Sequence, residues 1–277
     1  MSLALLPLLA ALGATPPDLV ALRPSAFQAD SPAVRLTRPQ LEAKLAAGSG
    51  DALPDLSGAD LSGLDLRGLD FRRAVLTRAR LAEAKLDGAN LFSCDLTDAV
   101  LTGATLTKAN LDGSVLRRAD LRKARLTGAS LFATIIEAAD LSGADLSGTR
   151  IIGYLRGAKL IGTTLTNANI GADPGNQSMG VMRATFTSAD LSGADLTGAN
   201  LFKADFSHAT LARARLIRAN LSNSELVQTD LTGADLTGAK LAQANVDGAD
   251  FTGAVGLDRA VGLDQARHRD KAILDAQ

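Results

Sequence analysis

Residues 189–201 read Ala-Asp-Leu-Ser-Gly-Ala-Asp-Leu-Thr-Gly-Ala-Asn-Leu. Leucine returns every five residues, alanine stands two before it, and Asp or Asn lies between them. Outward from this stretch, a large apolar residue holds the same place from Leu61 to Ile151 and from Phe186 to Phe251, giving 33 centres of which 26 are Leu. Ala occupies 25 of the 33 places two before a centre, and Cys94, Ser114, Thr134, Thr149, Ser224 and Thr229 are small substitutes. Only Leu64 and Leu69 are large there.

A period of five fits neither regular element. An α-helix would sweep these leucines around its axis, and a strand would alternate them between its faces. A chain that turns a corner every five residues keeps them all on one side, and four corners close a coil of 20 residues. The centre and the Ala then fill the interior. The other three positions face water, which suits their Ser, Thr, Gly, Asp, Lys and Arg. Gly is frequent because a corner wants it.

Read this way, the chain resembles the pentapeptide-repeat family, whose Ala-(Asp/Asn)-Leu-x-x pattern is met in residues 189–201. The resemblance covers about 54–255. It implies an all-β fold, a right-handed quadrilateral β-helix of about nine coils, with backbone hydrogen bonds between coils and stacked leucines inside. It says little about function, because members share a shape and not a site. The best-understood branch resembles B-form DNA and binds DNA gyrase, giving fluoroquinolone resistance. Those proteins are strongly acidic cytoplasmic dimers, from which this chain departs.

The register slips once after Ile151, where the next centres are Leu155, Leu160, Leu165 and Ile170, one step having four residues. The pattern then lapses at 171–183, where Asp-Pro-Gly and Asn-Gln-Ser are turn chemistry. One side plus 11 extra residues restores the square, so an inserted loop is expected there. The ends are expected to carry short helical caps, since open β-helix ends expose unpaired strand groups. Segment 31–53 reads as the first, with Thr37 and an early Pro39 before the Leu41/Leu45 pair. Residues 256–277 read as the second, with a six-residue repeat and a short helix near 264–275. Segment 1–30 reads as a signal peptide and linker. Its apolar run at 3–14 is too short to span a bilayer but fits a secretory h-region, so a periplasmic or secreted location is expected. No basic residue precedes the run, and an apolar helix packed on the solenoid is the alternative, with a cytoplasmic location.

Composition narrows function. Lys plus Arg is 29 and Asp plus Glu is 30, so no overall field argues for nucleic acid or an anionic membrane. A lone cysteine, Cys94, rules out an internal disulfide, and two histidines argue against a zinc site. His208 and His268 are distant in sequence, and no catalytic, phosphate-binding or metal motif stands out. No enzyme, cofactor or metal is therefore expected. Arginines cluster at 72–80, 117–125 and 213–218 but interleave with acids, and Arg78, Asp98 and Arg118 fall in one column. An unusual feature is apolar. Stacking by 20 brings Phe92, Val115, Phe132, Ile135 and Ile152 to outward places flanking one edge, joined by Val75 and Phe202. Such a strip is expected either to be covered by the chain itself or to contact a protein partner or a second copy.

Overall fold

The computed structural model describes residues 34–47, 53–172 and 183–275. The apolar run at 3–14, all of segment 1–30 and most of the 171–183 insertion lie outside the described residues. The described chain belongs to a compact unit beginning at Val34.

Parallel bridges join residues 20 apart, with a bridge at every fifth residue. Each coil therefore has four sides. Face 1 carries the bridge column Asp55, Val75, Asp95, Val115; face 2 carries Asp60, Arg80, Val100, Asp120; face 3 carries Asp65, Lys85, Thr105, Arg125; face 4 carries Asp70, Asn90, Asn110, Ser130. The repeating unit is a pair of hydrogen bonds: Leu61 N–H donates to the Arg80 carbonyl (2.8 Å), and Arg80 N–H to the Ala59 carbonyl (2.9 Å). The backbone groups of a central coil thus find partners in the coils above and below.

Inside, Leu121 and Ala119 are fully buried, as are nearly all other centres and small partners. Leu64 and Leu69, the two large exceptions, are half-buried against the core. Most hydroxyls at small interior positions are satisfied by carbonyls: Ser114 Oγ donates to Leu91 O (2.6 Å), Thr163 Oγ1 to Leu141 O (3.0 Å) and Thr229 Oγ1 to Phe206 O (2.8 Å), while Ser224 Oγ has no partner among the described residues. Phe186 and Phe206 stack with centroids 4.9 Å apart.

The corners explain two further sequence positions. Apart from Gly153 and Ala172, the second residue after each described centre adopts a left-handed backbone, at Gly63 (φ 67°) and equally at Arg118 (φ 54°) or Lys203 (φ 59°). Glycine suits this conformation, yet among the described residues nineteen non-glycine corner residues also take it, each at a cost of about 1 kcal/mol. The Asp or Asn before the centre holds the corner from the other side. Asp190 Oδ1 accepts from Ser192 N–H (2.9 Å) and Asp195 Oδ1 from Thr197 N–H (2.9 Å), each an Asx turn.

The ladder locates the irregularities. Bridge partners are 19 apart at Asp140↔Lys159 and 31 apart at Lys159↔Asp190, so one coil is a residue short and the next holds 11 extra. The short step is a strand pair, β1 (Ser130–Ile135) on β2 (Arg150–Tyr154), with a bulge between Phe132 and Thr134. Here the chain crosses the corner extended instead of turning.

At the first end, helix α1 (Arg38–Ala47) seats fully buried Leu41 on the core. A capping box starts it: Gln40 Oε1 accepts from both the backbone N–H (2.8 Å) and the hydroxyl (2.9 Å) of Thr37. At the other end, the helix expected near 264–275 is replaced by three single 3-10 turns, Leu257–Arg259, Leu263–Gln265 and Arg269–Lys271. Each is preceded by a left-handed residue, Gly256, Gly262 or His268, which stops helical propagation. The ladder continues through them, since Val261, Arg267 and Ile273 bridge to Lys240, Asn245 and Asp250. The six-residue repeat is a six-residue side. Among the described residues, no helix is long and apolar enough to cross a membrane.

Candidate partner-binding edge

The edge between faces 4 and 1 carries the apolar residues singled out in the sequence. Phe92 follows a face-4 centre and is 40% exposed. Phe132 is half-buried, with the Arg150 guanidinium 4.6 Å from its ring centroid. Across the corner, Val115 and Ile135 are half-buried bridge partners on face 1. Val75 and Phe202 are also half-buried, and Lys203 Nζ lies 5.3 Å from the Phe202 centroid.

Ile152 departs from this pattern. It is 2% exposed, not outward in solvent. Its corner is crossed by extended β2, so no turn lifts the side chain away, and it pairs directly with Phe132 of β1. The slip also brings in Tyr154, which the five-residue count passes over. Tyr154 pairs with Ile135, bridges to Thr185 and is 39% exposed. Val115, Ile135 and Tyr154 are thus consecutive rungs of one column. The signal available in the sequence was the four-residue step itself, since shifting the column by one residue there lands on Tyr154. The strip is bounded below by Asp95 and crossed by Asp112, which accepts from Phe132 N–H (2.8 Å).

Elsewhere many exposed charges are paired. Arg118 pairs with Asp98 (2.6 Å), Arg117 with Glu137 (3.1 Å) and Arg122 with Asp120 (2.7 Å). These exposed pairs contribute about 0–1 kcal/mol each. Hydrogen bonding from the Arg122 side chain, opposed by burial, lowers the Asp120 carboxyl to about 2. Burial pushes the Cys94 thiol up to about 12, and its Sγ donates to the Phe71 carbonyl (3.0 Å). His208 and His268 are both exposed. Among the described residues, no group of His, Cys, Asp and Glu is placed to hold a metal ion.

A five-residue ladder with Leu and Ala inside is also what comparison with known families finds: the pentapeptide-repeat model matches residues 55–91, 94–131, 182–216 and 214–253 in eight copies. The chain belongs to the pentapeptide-repeat family. Members form right-handed β-helices, and the ladder described above is that architecture. A similar solved structure is HetL, a pentapeptide-repeat protein involved in heterocyst differentiation regulation in the cyanobacterium Nostoc sp. strain PCC 7120. It is 30% identical with a TM-score of 0.59, over 86% of this chain and 100% of HetL. QnrB1, a plasmid-mediated fluoroquinolone resistance protein, is 20% identical with a TM-score of 0.43, over 72% of this chain and 89% of its own. Rfr23 from the cyanobacterium Cyanothece 51142 is 24% identical with a TM-score of 0.28, over 44% of this chain and 91% of its own. No curated protein sequence gives a significant match.

Proposed function

We propose that this pentapeptide-repeat chain is a non-enzymatic binding module, a rod of about nine coils capped at both ends, that docks a protein partner along the 4–1 edge. The observation that carries this reading is the unbroken apolar run Val115–Ile135–Tyr154 beside Phe92 and Phe132. The interior needs none of these side chains, and water disfavours them at the surface. Scattered exposed histidines and a buried, unreactive thiol support the absence of catalysis. The edge also suits a second copy of the chain, a case that sedimentation at graded concentration distinguishes.

Site-specific photocrosslinking tests the proposal. Benzoylphenylalanine at Phe92 or Tyr154 is expected to trap a discrete partner in the source cell. The same group at Ile161, equally exposed on another face, is expected to trap none. Equal trapping at Ile161, or none at the edge, would overturn the reading. The gyrase-binding alternative is disfavoured by paired, interleaved charges, because a duplex mimic needs dense negative potential. Stoichiometric, salt-sensitive inhibition of gyrase supercoiling would reverse that preference. Export remains part of the proposal, and an intact Met1 on the natively expressed protein would remove it.

A further inference from the structure

Higher on the same edge lies an open groove of about 600 Å³ lined by Arg183, Lys203, Asn223, Glu225, Gln243 and Arg267. Its floor is set by register. Lys203, Asn223 and Gln243 are the left-handed corner residues of successive coils (φ 58–59°), so their side chains leave the solenoid one above another at the strand spacing of about 4.8 Å. Glu225 and Arg267 come from the face-1 column beside them.

The groove's charge is unbalanced toward cations. Glu225, its one carboxylate, is already held by Arg267 (2.8 Å) and by Asn245 Nδ2 (2.7 Å). Arg183 reaches Asp205 through one nitrogen at 3.3 Å, which leaves the rest of its guanidinium fork to donate. Lys203 Nζ has only the Phe202 ring beside it and no carboxylate among the described residues. The side-chain amides of Asn223 and Gln243 have no hydrogen-bond partner among the described residues. The site thus offers two ion-paired guanidiniums with donors to spare, an unpaired ammonium and two free amides, all facing one channel.

We propose that this groove receives the carboxylates of an acidic, extended peptide segment of the partner. This rests on the reading that the 4–1 edge docks a protein, and it names the partner's chemistry. Such a segment lays apolar side chains on Phe132, Ile135 and Tyr154, and Asp or Glu side chains on Lys203, Arg183 and Arg267. A peptide is favoured over nucleic acid because the Phe202 ring beside the Lys203 ammonium gives the groove an apolar element and Glu225 an acidic one, which suit spaced side chains better than a phosphate at every unit.

The test uses the full chain and a fluorescein-labelled octaglutamate peptide, read by anisotropy in 20 mM salt. Saturable binding is expected, weakening as salt rises to 200 mM. Lys203→Glu is expected to lower affinity about ten-fold, since reversing one exposed charge changes contacts worth about 1 kcal/mol or slightly more. Gln243→Glu, in an independent coil, is expected to weaken binding in the same direction. Phe92→Ser is expected to leave octaglutamate binding unchanged, because the probe touches only the groove; this separates failure here from failure of the apolar-edge reading. The proposal is overturned by absent saturation, by folded Lys203→Glu and Gln243→Glu variants that bind like the parent, or by tighter binding of an octathymidylate of equal charge.

Discussion

Gly153→Ala asks whether the four-residue corner is enforced by contact. A Cβ at residue 153 would stand 2.2 Å from the Thr134 carbonyl oxygen and 3.1 Å from Thr134 C and N. Ordinary contact begins near 3.4 Å, and the opposing atoms are backbone, so no side chain can swing aside. Relief requires β2 to lift from β1. That strains the bonds from Ile136 N–H to Tyr154 O (2.7 Å) and from Thr185 N–H to Gly153 O (3.0 Å). Overpacking costs about 1–3 kcal/mol, and each weakened hydrogen bond about 1 more, giving about 3–5 kcal/mol. Gly148→Ala is the control, because that glycine has nothing within 4 Å of the new carbon and a φ of 63°. It should lose only the left-handed penalty of about 1 kcal/mol. Urea titration gives the totals. Hydrogen exchange supplies the sharper readout, since solenoid coils are coupled mainly to their neighbours: amides of β1, β2 and residues 185–187 should lose protection while those of residues 206–250 keep it. A Gly153→Ala variant no less stable than Gly148→Ala would refute the reasoning.

Other outcomes follow from the same coordinates. Leu121→Ala should cost about 2–5 kcal/mol by denaturant titration, toward the upper end because interstrand bonds hold the coils apart and limit collapse; a loss under 1 kcal/mol would contradict the packed interior. Asp120 carries a depressed carboxyl, so its contribution is complete above the ordinary carboxylate value and is lost as pH falls from about 4 toward 2. Its partner Arg122 is 54% exposed, so screening limits the gain to about 1 kcal/mol; Asp120→Asn should destabilise by that amount at pH 7 and not at pH 2. Cys94 should react with a thiol reagent only at the rate of unfolding, and fast labelling of the native protein would contradict its burial.

Most of the fold was legible because two of every five positions carry one instruction, repeated 33 times. No single exception weakens it: Thr134 or Cys94 substitutes for Ala and finds a carbonyl to bond. The inserted length was legible as arithmetic, since the columns must realign above it. The second cap was misread because residues 264–275 hold good helix formers such as Gln265, Ala266, Arg267, Lys271 and Leu274, with no Gly or Pro among them. The left-handed backbone at Gly256 and Gly262 decides otherwise, and a six-residue side keeps Val261 and Arg267 in the ladder. Asp and Asn looked like surface filler. Their corner-holding role depends on the turn bringing the N–H two residues on back to the carboxylate, which the residue types alone do not display.

The edge was legible in part for a related reason. Outward positions have no repeated instruction, so an apolar residue there is informative, and Phe92, Val115, Phe132 and Ile135 lie where stacking by 20 puts them. That arithmetic assumes every corner is a turn. At 151–155 the chain has one residue fewer, and Gly153 lets the backbone pass straight against Thr134. The short corner buries Ile152, while Tyr154, directly before the centre Leu155, keeps the column place that Val115 and Ile135 hold before Leu116 and Ile136. The irregular corner therefore does not interrupt the face-1 column; it removes only Ile152 from the exposed strip. A regular five-residue corner would have extended the core equally well. Restoring it by inserting one residue after Ile152 should keep the ladder and leave Tyr154 directly before its centre Leu155, so crosslinking from Tyr154 should persist without loss of stability. Loss of that crosslinking in a folded insertion variant would show that the short corner itself is part of the docking surface.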